Sequence, residues 1–215
     1  KMKKELTYRI ITSIILLFFL YYMYINNFIL LIGLILFTFI VWIEFNFLIL
    51  KIIKLKKNFN YFINFIIQIS AFIYLILFSY IFWNYLNSEN KIFFLFLIGV
   101  CIVTDIGGLI CGKILKGKKL TKISPNKTIS GMIGSFIFSI IFMEIYRSYN
   151  NLNFLFYELL IITISTSAIS QLGDLLISYI KRKAKVKNTS ELLPGHGGFL
   201  DRFDGILFGL PFGIF

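Results

Sequence analysis

The chain has one histidine, two cysteines, three prolines and ten acidic residues among 215 positions. Each scarcity excludes something. His196, Cys101 and Cys111 leave no CxxC pair and no Cys/His zinc spacing. The two cysteines lie in one apolar run, roughly 15 Å apart along a helix, too far for a disulfide. They read as small, soft side chains of a membrane helix. No GxxxxGK[ST] phosphate loop occurs, no repeat of 20–50 residues, and no Pro-rich or Ser-rich linker. Acids are outnumbered by 22 lysines and arginines, for a formal net charge of +12. That excess alone would suit nucleic acid, but its distribution follows membrane topology, so no nucleic-acid partner is expected.

What is present is apolar bulk: 58% of residues are hydrophobic and the mean hydropathy is +0.85. Soluble domains lie near about 45–50% apolar, and one of this size could not hide the remainder. Apolar runs of spanning length are expected at 9–25, 28–50, 61–84, 92–112, 129–146 and 154–180, with an eleven-residue run at 205–215. The last is about 16 Å of helix, half a bilayer, so it is either a partial span or continues in a longer chain. The start, KMKKELTYR before an apolar run, is like a signal peptide, but no small-residue cleavage site follows; a retained first span is expected.

Basic residues test this map. Lys1, Lys3, Lys4 and Arg9 precede the first span, and Lys51, Lys54, Lys56 and Lys57 follow the second. Lys113, Lys116, Lys118, Lys119, Lys122 and Lys127 follow the fourth, and Lys181, Arg182, Lys183, Lys185, Lys187 and Arg202 follow the sixth. Only Lys91 and Arg147 fall on the other side. The positive-inside rule makes the rich side cytoplasmic. The expected fold is all-α and polytopic, with about seven transmembrane or partial transmembrane helices in the inner (cell) membrane. Residues 1–90 would form about three N-terminal spans and residues 91–215 a catalytic membrane region, because 101–205 carries glycines, prolines and all four aspartates.

A carboxylate in lipid costs about 2.5–3.5 kcal/mol on insertion scales, so the acids need reasons. Asp105 precedes Lys113 by eight residues and Asp174 precedes Lys181 by seven. Both therefore sit roughly 10–12 Å inside one end of their helices, where acids from separate spans can share a site. Ser167, Ser170, Gln171, Asp174, Ser178 and Lys181 form a polar stripe at helical spacing, read as a path to the basic cluster or as helix–helix glue. Glu44, seven before Lys51, is read as a structural acid buried against a neighbouring cation, and Glu144 and Arg147 as a pair. In residues 112–131, Ser124, Asn126, Lys127 and Thr128 open a helix beside many lysines. Such donors suit a polyphosphate; the alternative is a basic loop that only fixes topology.

The polar segment LLPGHGGFLDRFDG, 192–205, is the least lipid-like of all. Asp201 and Asp204 share a helix face, and such short hard carboxylates suit Mg²⁺ bridging to phosphates. Gly195, Gly197 and Gly198 allow close backbone approach, and Arg182 and Arg202 offer bidentate phosphate contact.

Ser178, Lys181-Arg182, Lys187, Ser190, Leu193-Pro194-Gly195-His196-Gly197-Gly198-Phe199 and Asp201-Arg202-Phe203-Asp204 stand in register over 27 residues. This pattern resembles the signature of the phosphatidate cytidylyltransferase (CDP-diacylglycerol synthase) family. The likeness runs upstream through SQLGDLLIS (170–178), KISPNKTISG (122–131) and, more weakly, TDIGG (104–108), and so covers roughly residues 100–210. It implies transfer of the cytidylyl group of CTP to phosphatidate with Mg²⁺ and a second cation as a further candidate, at the cytoplasmic side, with a homodimer as a candidate assembly. It implies Asp174, Lys181, Arg182, Asp201, Arg202 and Asp204 as candidate catalytic residues. Ser124, Asn126, Lys127, Thr128, Ser178, Lys187, His196, Gly197 and Gly198 would bind substrate. Asp174, Asp201 and Asp204 would hold metal, with Asp105 and Asn188 as further candidates. Asn188 stands where the family usually has Asp, which removes a charge. The alternatives are a CTP-dependent lipid-alcohol kinase, a transporter, and a membrane scaffold inactivated by Asn188.

Overall fold

The computed structural model describes residues 2–55, 61–121, 124, 127–150, 154–193, 195 and 197–215. Among them are seven helices and no strand, as expected of an all-α chain: α1 (Met2–Ile25), α2 (Asn27–Leu55), α3 (Tyr61–Leu86), α4 (Lys91–Ile114), α5 (Ile129–Asn150), α6 (Phe156–Lys183) and α7 (Leu200–Ile214). Five of these, α2 to α6, are long and apolar enough to cross a membrane. The helices outrun the apolar segments by a few residues into polar ends, because the backbone ladder continues wherever lysine stems can reach water. Large apolar side chains such as Leu17, Phe28, Phe62 and Ile161 are well exposed, which suits a lipid solvent.

The breaks have local causes. Asn26 divides α1 from α2: its Oδ1 accepts the N–H of Phe28 (2.9 Å) and of Ile29 (3.3 Å), an N-cap. Thr128 caps α5 by accepting the N–H of Gly131 at 3.1 Å. Helix α6 stops in a Schellman motif. The N–H of Lys185 donates to Arg182 O (3.1 Å) and that of Val186 to Lys181 O (3.0 Å). Lys185 takes the left-handed conformation, φ 55°, usually given to glycine.

Contacts group the chain into two compact units. The first is Lys1–Leu86 with Ile180–Arg202. Its helices α1, α2 and α3 pack in sequence order, with a small core of Met23, Leu30 and Leu34 against Phe82, Trp83 and Leu86. The second is Asn87–Tyr179 with Phe203–Phe215. There α4 and α5 approach closely along small residues. A Cβ on Gly107 would stand 2.9 Å from Gly134 O, and one on Gly131 2.8 Å from Gly108 O. Ser135 Oγ donates to Thr104 O at 2.7 Å, and Glu144 and Arg147 pair as expected (3.8 Å).

Candidate functional site

In the first unit, the polar segment after α6 folds around two carboxylates. The described residues of 184–199 form no regular element, so their backbone groups need partners. One pair is local: Leu193 and Gly197 exchange N–H···O bonds of 2.9 and 3.0 Å, with Gly195 and Gly197 at φ 77° and 87°. Several other donors turn to Asp201 and Glu44.

Asp201 Oδ2 accepts the N–H of Thr189 (2.8 Å) and of Gly198 (3.1 Å), and shares with Glu44 the single hydroxyl proton of Thr189, whose oxygen lies 3.0 Å away. Its Oδ1 takes the ammonium of Lys181 at 2.6 Å, with both side chains nearly covered (12% exposed for Lys181, 9% for Asp201). Burial pushes the Asp201 carboxyl up. The Lys181 hydrogen bond and charge and the amides of Thr189 and Gly198 outweigh it, and hold the group below its ordinary value. Oδ2 is crowded by Thr189 and Gly198, whereas Oδ1 meets Lys181 and keeps a lone-pair site. Oδ1 is therefore the Asp201 oxygen able to meet a cation with the loop contacts intact.

Glu44 comes from the middle of α2 and is 2% exposed. Its Oε1 accepts Ser190 Oγ (2.5 Å) and Phe199 N (3.0 Å); its Oε2 accepts Thr189 Oγ1 (2.9 Å) and Leu200 N (2.8 Å). Phe199 and Leu200 open α7, so Glu44 satisfies two of that helix's orphan N–H groups at the positive end of its dipole. Glu44 is buried, as the sequence reading expects, but its partners are not a cation. Lys51 sits over the Phe47 ring, 4.4 Å from its centroid, and the acid is met by hydroxyls and amides of the motif segment. The signal that could have found this lies in the motif segment itself. A helix start and the two hydroxyl residues Thr189 and Ser190 present more donors than Asp201 alone can accept.

Of the other residues expected in this region, Gly198 is buried and Arg182, Lys187, Asn188 and Arg202 are exposed. Arg182 donates to Val186 O (3.5 Å). Asn188 lies by Gly197: a Cβ there would stand 3.5 Å from Asn188 Cγ and 3.1 Å from Asp201 Oδ2.

In the second unit, the other three aspartates occupy one neighbourhood. Asp174 pairs with Lys127 and accepts Ser178 Oγ at 3.3 Å. Asp105 on α4 is in electrostatic reach of Asp174 and Lys127. A Cβ on Gly205 would stand 3.7 Å from Asp105 Oδ2, and one on Gly173 2.9 Å from Asp204 O. Asp204 is buried and accepts the N–H of Gly205 (3.0 Å). The α6 stripe divides by role. Ser167 accepts the hydroxyl of Thr104 (2.9 Å), an interhelical tie, whereas Asp174 and Ser178 belong to the acidic neighbourhood. Among the described residues Ser170 Oγ is buried without a nitrogen or oxygen hydrogen-bond partner, beside Gly205 and near the Cys101 thiol.

The loop before α5 folds back on itself: Leu120 N donates to Lys127 O (2.8 Å) and Ile129 N to Lys118 O (3.0 Å). It thus delivers Lys127 to Asp174. Thr128 serves as the cap, and the Ser124 N–H donates to Thr121 Oγ1 (3.2 Å). Asn126 and His196, both expected to bind substrate, lie outside the described residues.

Around Asp174 the groups that could ligate a cation are oxygens, the chemistry of a hard ion, while the Lys127 ammonium occupies Oδ2 of Asp174. Among the described residues no three His, Cys, Asp or Glu side chains are gathered to hold a metal. Mg²⁺ takes one or two carboxylates and completes its shell with water and substrate phosphate oxygens. Ser170 Oγ adds a neutral oxygen beside Gly205.

A family model described as a cytidylyltransferase family matches residues 1–215. The chain is 44% identical over 126 residues to a phosphatidate cytidylyltransferase of Staphylococcus saprophyticus, covering 58% of this chain and 48% of that one. It is 43% identical over 116 residues to that of Bacillus subtilis, covering 52% and 43%. It is 39% identical over 134 residues to that of Staphylococcus aureus strain COL, covering 62% and 52%. The chain thus matches about half the length of these curated relatives.

Proposed function

Because the chain belongs to the cytidylyltransferase family, we propose that it transfers the cytidylyl group of CTP to phosphatidate, giving CDP-diacylglycerol and pyrophosphate at the cytoplasmic face of the cell membrane. The observation that carries this reading is the pairing of carboxylates with ammonium groups, Lys181 on Asp201 and Lys127 on Asp174. The names of the relatives point the same way.

The chemistry asks for such pairs. An oxygen of the lipid phosphate forms a bond to the α-phosphorus of CTP, and the bond from that phosphorus to the pyrophosphate oxygen breaks. A phosphomonoester is already anionic near neutral pH, so no strong general base is needed. The obstacle is repulsion between two anions. Lys181, Lys127, Arg182, Lys187 and Arg202 supply cations against it. Asp201 and Asp174 hold two of those cations in place before substrate arrives, which removes part of the ordering cost. Within the second unit the oxygens that would hold Mg²⁺ are those of Asp174 and Asp204, with Asp105 as a further candidate; within the first, taken by itself, the candidate is Oδ1 of Asp201. The ion, when bound, neutralises phosphate charge and polarises the phosphoryl oxygen. Gly197 and Gly198 would let the backbone come close to the phosphates. An apolar chain surface leaves the acyl chains in lipid.

The test is purified protein in phosphatidate-containing vesicles with labelled CTP and Mg²⁺. CDP-lipid and pyrophosphate support the reading. Release of CDP with a phosphorylated lipid alcohol would instead establish the kinase. No product with any divalent ion, in a protein that still folds, would refute both and leave the scaffold reading that Asn188 motivates.

A further inference from the structure

Glu44 lies 145 residues from Thr189 in sequence, on a helix whose other side chains are almost all apolar. Nothing about membrane anchoring calls for an acid there, and a buried carboxylate without donors would be costly. Its two oxygens receive four donors, each from the segment Thr189–Leu200. The hydroxyl of Thr189 lies within hydrogen-bond reach of both Glu44 Oε2 (2.9 Å) and Asp201 Oδ2 (3.0 Å). The backbone leaves room for this carboxylate only because residue 198 is glycine: a Cβ there would stand 2.6 Å from each Glu44 oxygen.

We infer that Glu44 is a positioning residue: through Thr189, Ser190 and the first amides of α7 it latches the 189–200 segment to α2, and so fixes Asp201, Lys181, Gly197 and Gly198 for substrate. The latch itself rests on geometry. Its kinetic consequence rests on the cytidylyl-transfer reading. Glu44 touches no reacting atom in this account. Local opening of the segment is the event it suppresses, because a bond to a charged acceptor outweighs one to water only while the carboxylate stays in place.

The test uses Glu44→Gln, a neutral isostere whose amide group turns a donor towards donors, and Ser190→Ala, which removes one of the four bonds. The segment itself has no trypsin site, so trypsin reads its anchoring at Lys185 and Lys187, four and two residues before Thr189, with cleavage at Lys118 and Lys119 as the internal control. Proteolysis at a locally opening site tracks the open population. In Glu44→Gln, cleavage at 185–187 should quicken on the order of tenfold, the scale of losing one bond to a charged acceptor, with the control unchanged. Ser190→Ala should shift in the same direction by about a few-fold, and carries the test should Glu44→Gln not fold. Kinetics separate positioning from mere stability: a smaller folded fraction lowers kcat alone, whereas a misplaced segment also raises KM for CTP. Unchanged cleavage in both variants overturns the latch. A loss of kcat with KM unchanged overturns positioning and leaves a structural acid. If cleavage quickens but the wild-type protein makes no CDP-lipid, the reaction assignment falls and the latch stands.

Discussion

Replacing Asp201 with Asn keeps the shape of the side chain and removes its charge, so it isolates what the carboxylate does. Asp201 holds Lys181 at 2.6 Å with both side chains largely covered. At an effective dielectric of 20 the bare attraction at that separation is about 6 kcal/mol, and desolvation cancels much of it. Breaking a buried pair from one side costs about 3–5 kcal/mol; partial exposure places this one near the lower end, at about 3 kcal/mol. The substituted amide would also be poorly matched. It would face the N–H groups of Thr189 and Gly198 on one side and an ammonium on the other, and its own NH₂ is a donor. Asp201→Asn should therefore lower the thermal midpoint by roughly 6–12 °C for a chain of this size. Lys181→Met should cost less, because Asp201 keeps the Thr189 and Gly198 donors on Oδ2.

The double variant completes a cycle, and the coupling should be about 1–3 kcal/mol. The sign with pH follows from the depressed carboxyl. The stability it contributes is fully present above the ordinary Asp value, about 3.9, and is lost as pH falls through the lower value of the folded state. In Lys181→Met the carboxyl rises, and acid unfolding begins at a higher pH. Midpoints by intrinsic fluorescence across roughly pH 2–7 measure both effects. Effects of the two single changes that add to within about 0.5 kcal/mol would refute the pair.

Gly198→Ala drives a methyl into both Glu44 oxygens, 2.6 Å away; overpacking of this kind costs about 1–3 kcal/mol, and trypsin cleavage at Lys185 and Lys187 should quicken with it. Lys127→Met removes the cation paired with Asp174 and should lower the rate of CDP-lipid formation by about tenfold or more while the α5 cap and helix content by circular dichroism stay intact. Asn188→Asp restores a charge near Asp201 and should lower the Mg²⁺ concentration for half-maximal turnover several-fold; a higher Mg²⁺ requirement would count against a ligand role for this position. Thr128→Ala removes the bond to Gly131 N–H and should cost about 1 kcal/mol in stability, read as a lower thermal midpoint.

The helices are legible because lipid imposes length and composition together. Runs that must bury every backbone donor in hydrocarbon become helices, and the alternation of lysine-rich connections fixes their number. Their ends are less legible, since apolarity marks where a helix enters lipid and not where hydrogen bonding stops. The end of α6 shows the difference. Its Schellman turn is built on Lys185 at φ 55°, with no glycine to announce it, so only the backbone bonds from Lys185 and Val186 reveal the stop. Local motifs are legible as chemistry but not as pairings. Lys127 reads from the sequence as a phosphate donor and is found on Asp174, a contact that depends on how the loop before α5 doubles back.

Glu44 marks the deeper reason. Sequence logic looks for a buried acid's partner one or two turns away, and Lys51 stands there. Yet a cation on the same helix has a long stem and can reach water, while a segment of irregular backbone satisfies only some of its own amides, here those of Leu193 and Gly197. The start of α7 adds free N–H groups and no free carbonyls to the segment. One carboxylate, Asp201, meets Lys181, Thr189 and Gly198. Donors from Ser190, Phe199 and Leu200 meet a second acceptor, Glu44, from elsewhere in the chain. An isolated acid in an otherwise apolar helix and a donor-rich polar segment are therefore two halves of one hydrogen-bond account, and each explains why the other is tolerated.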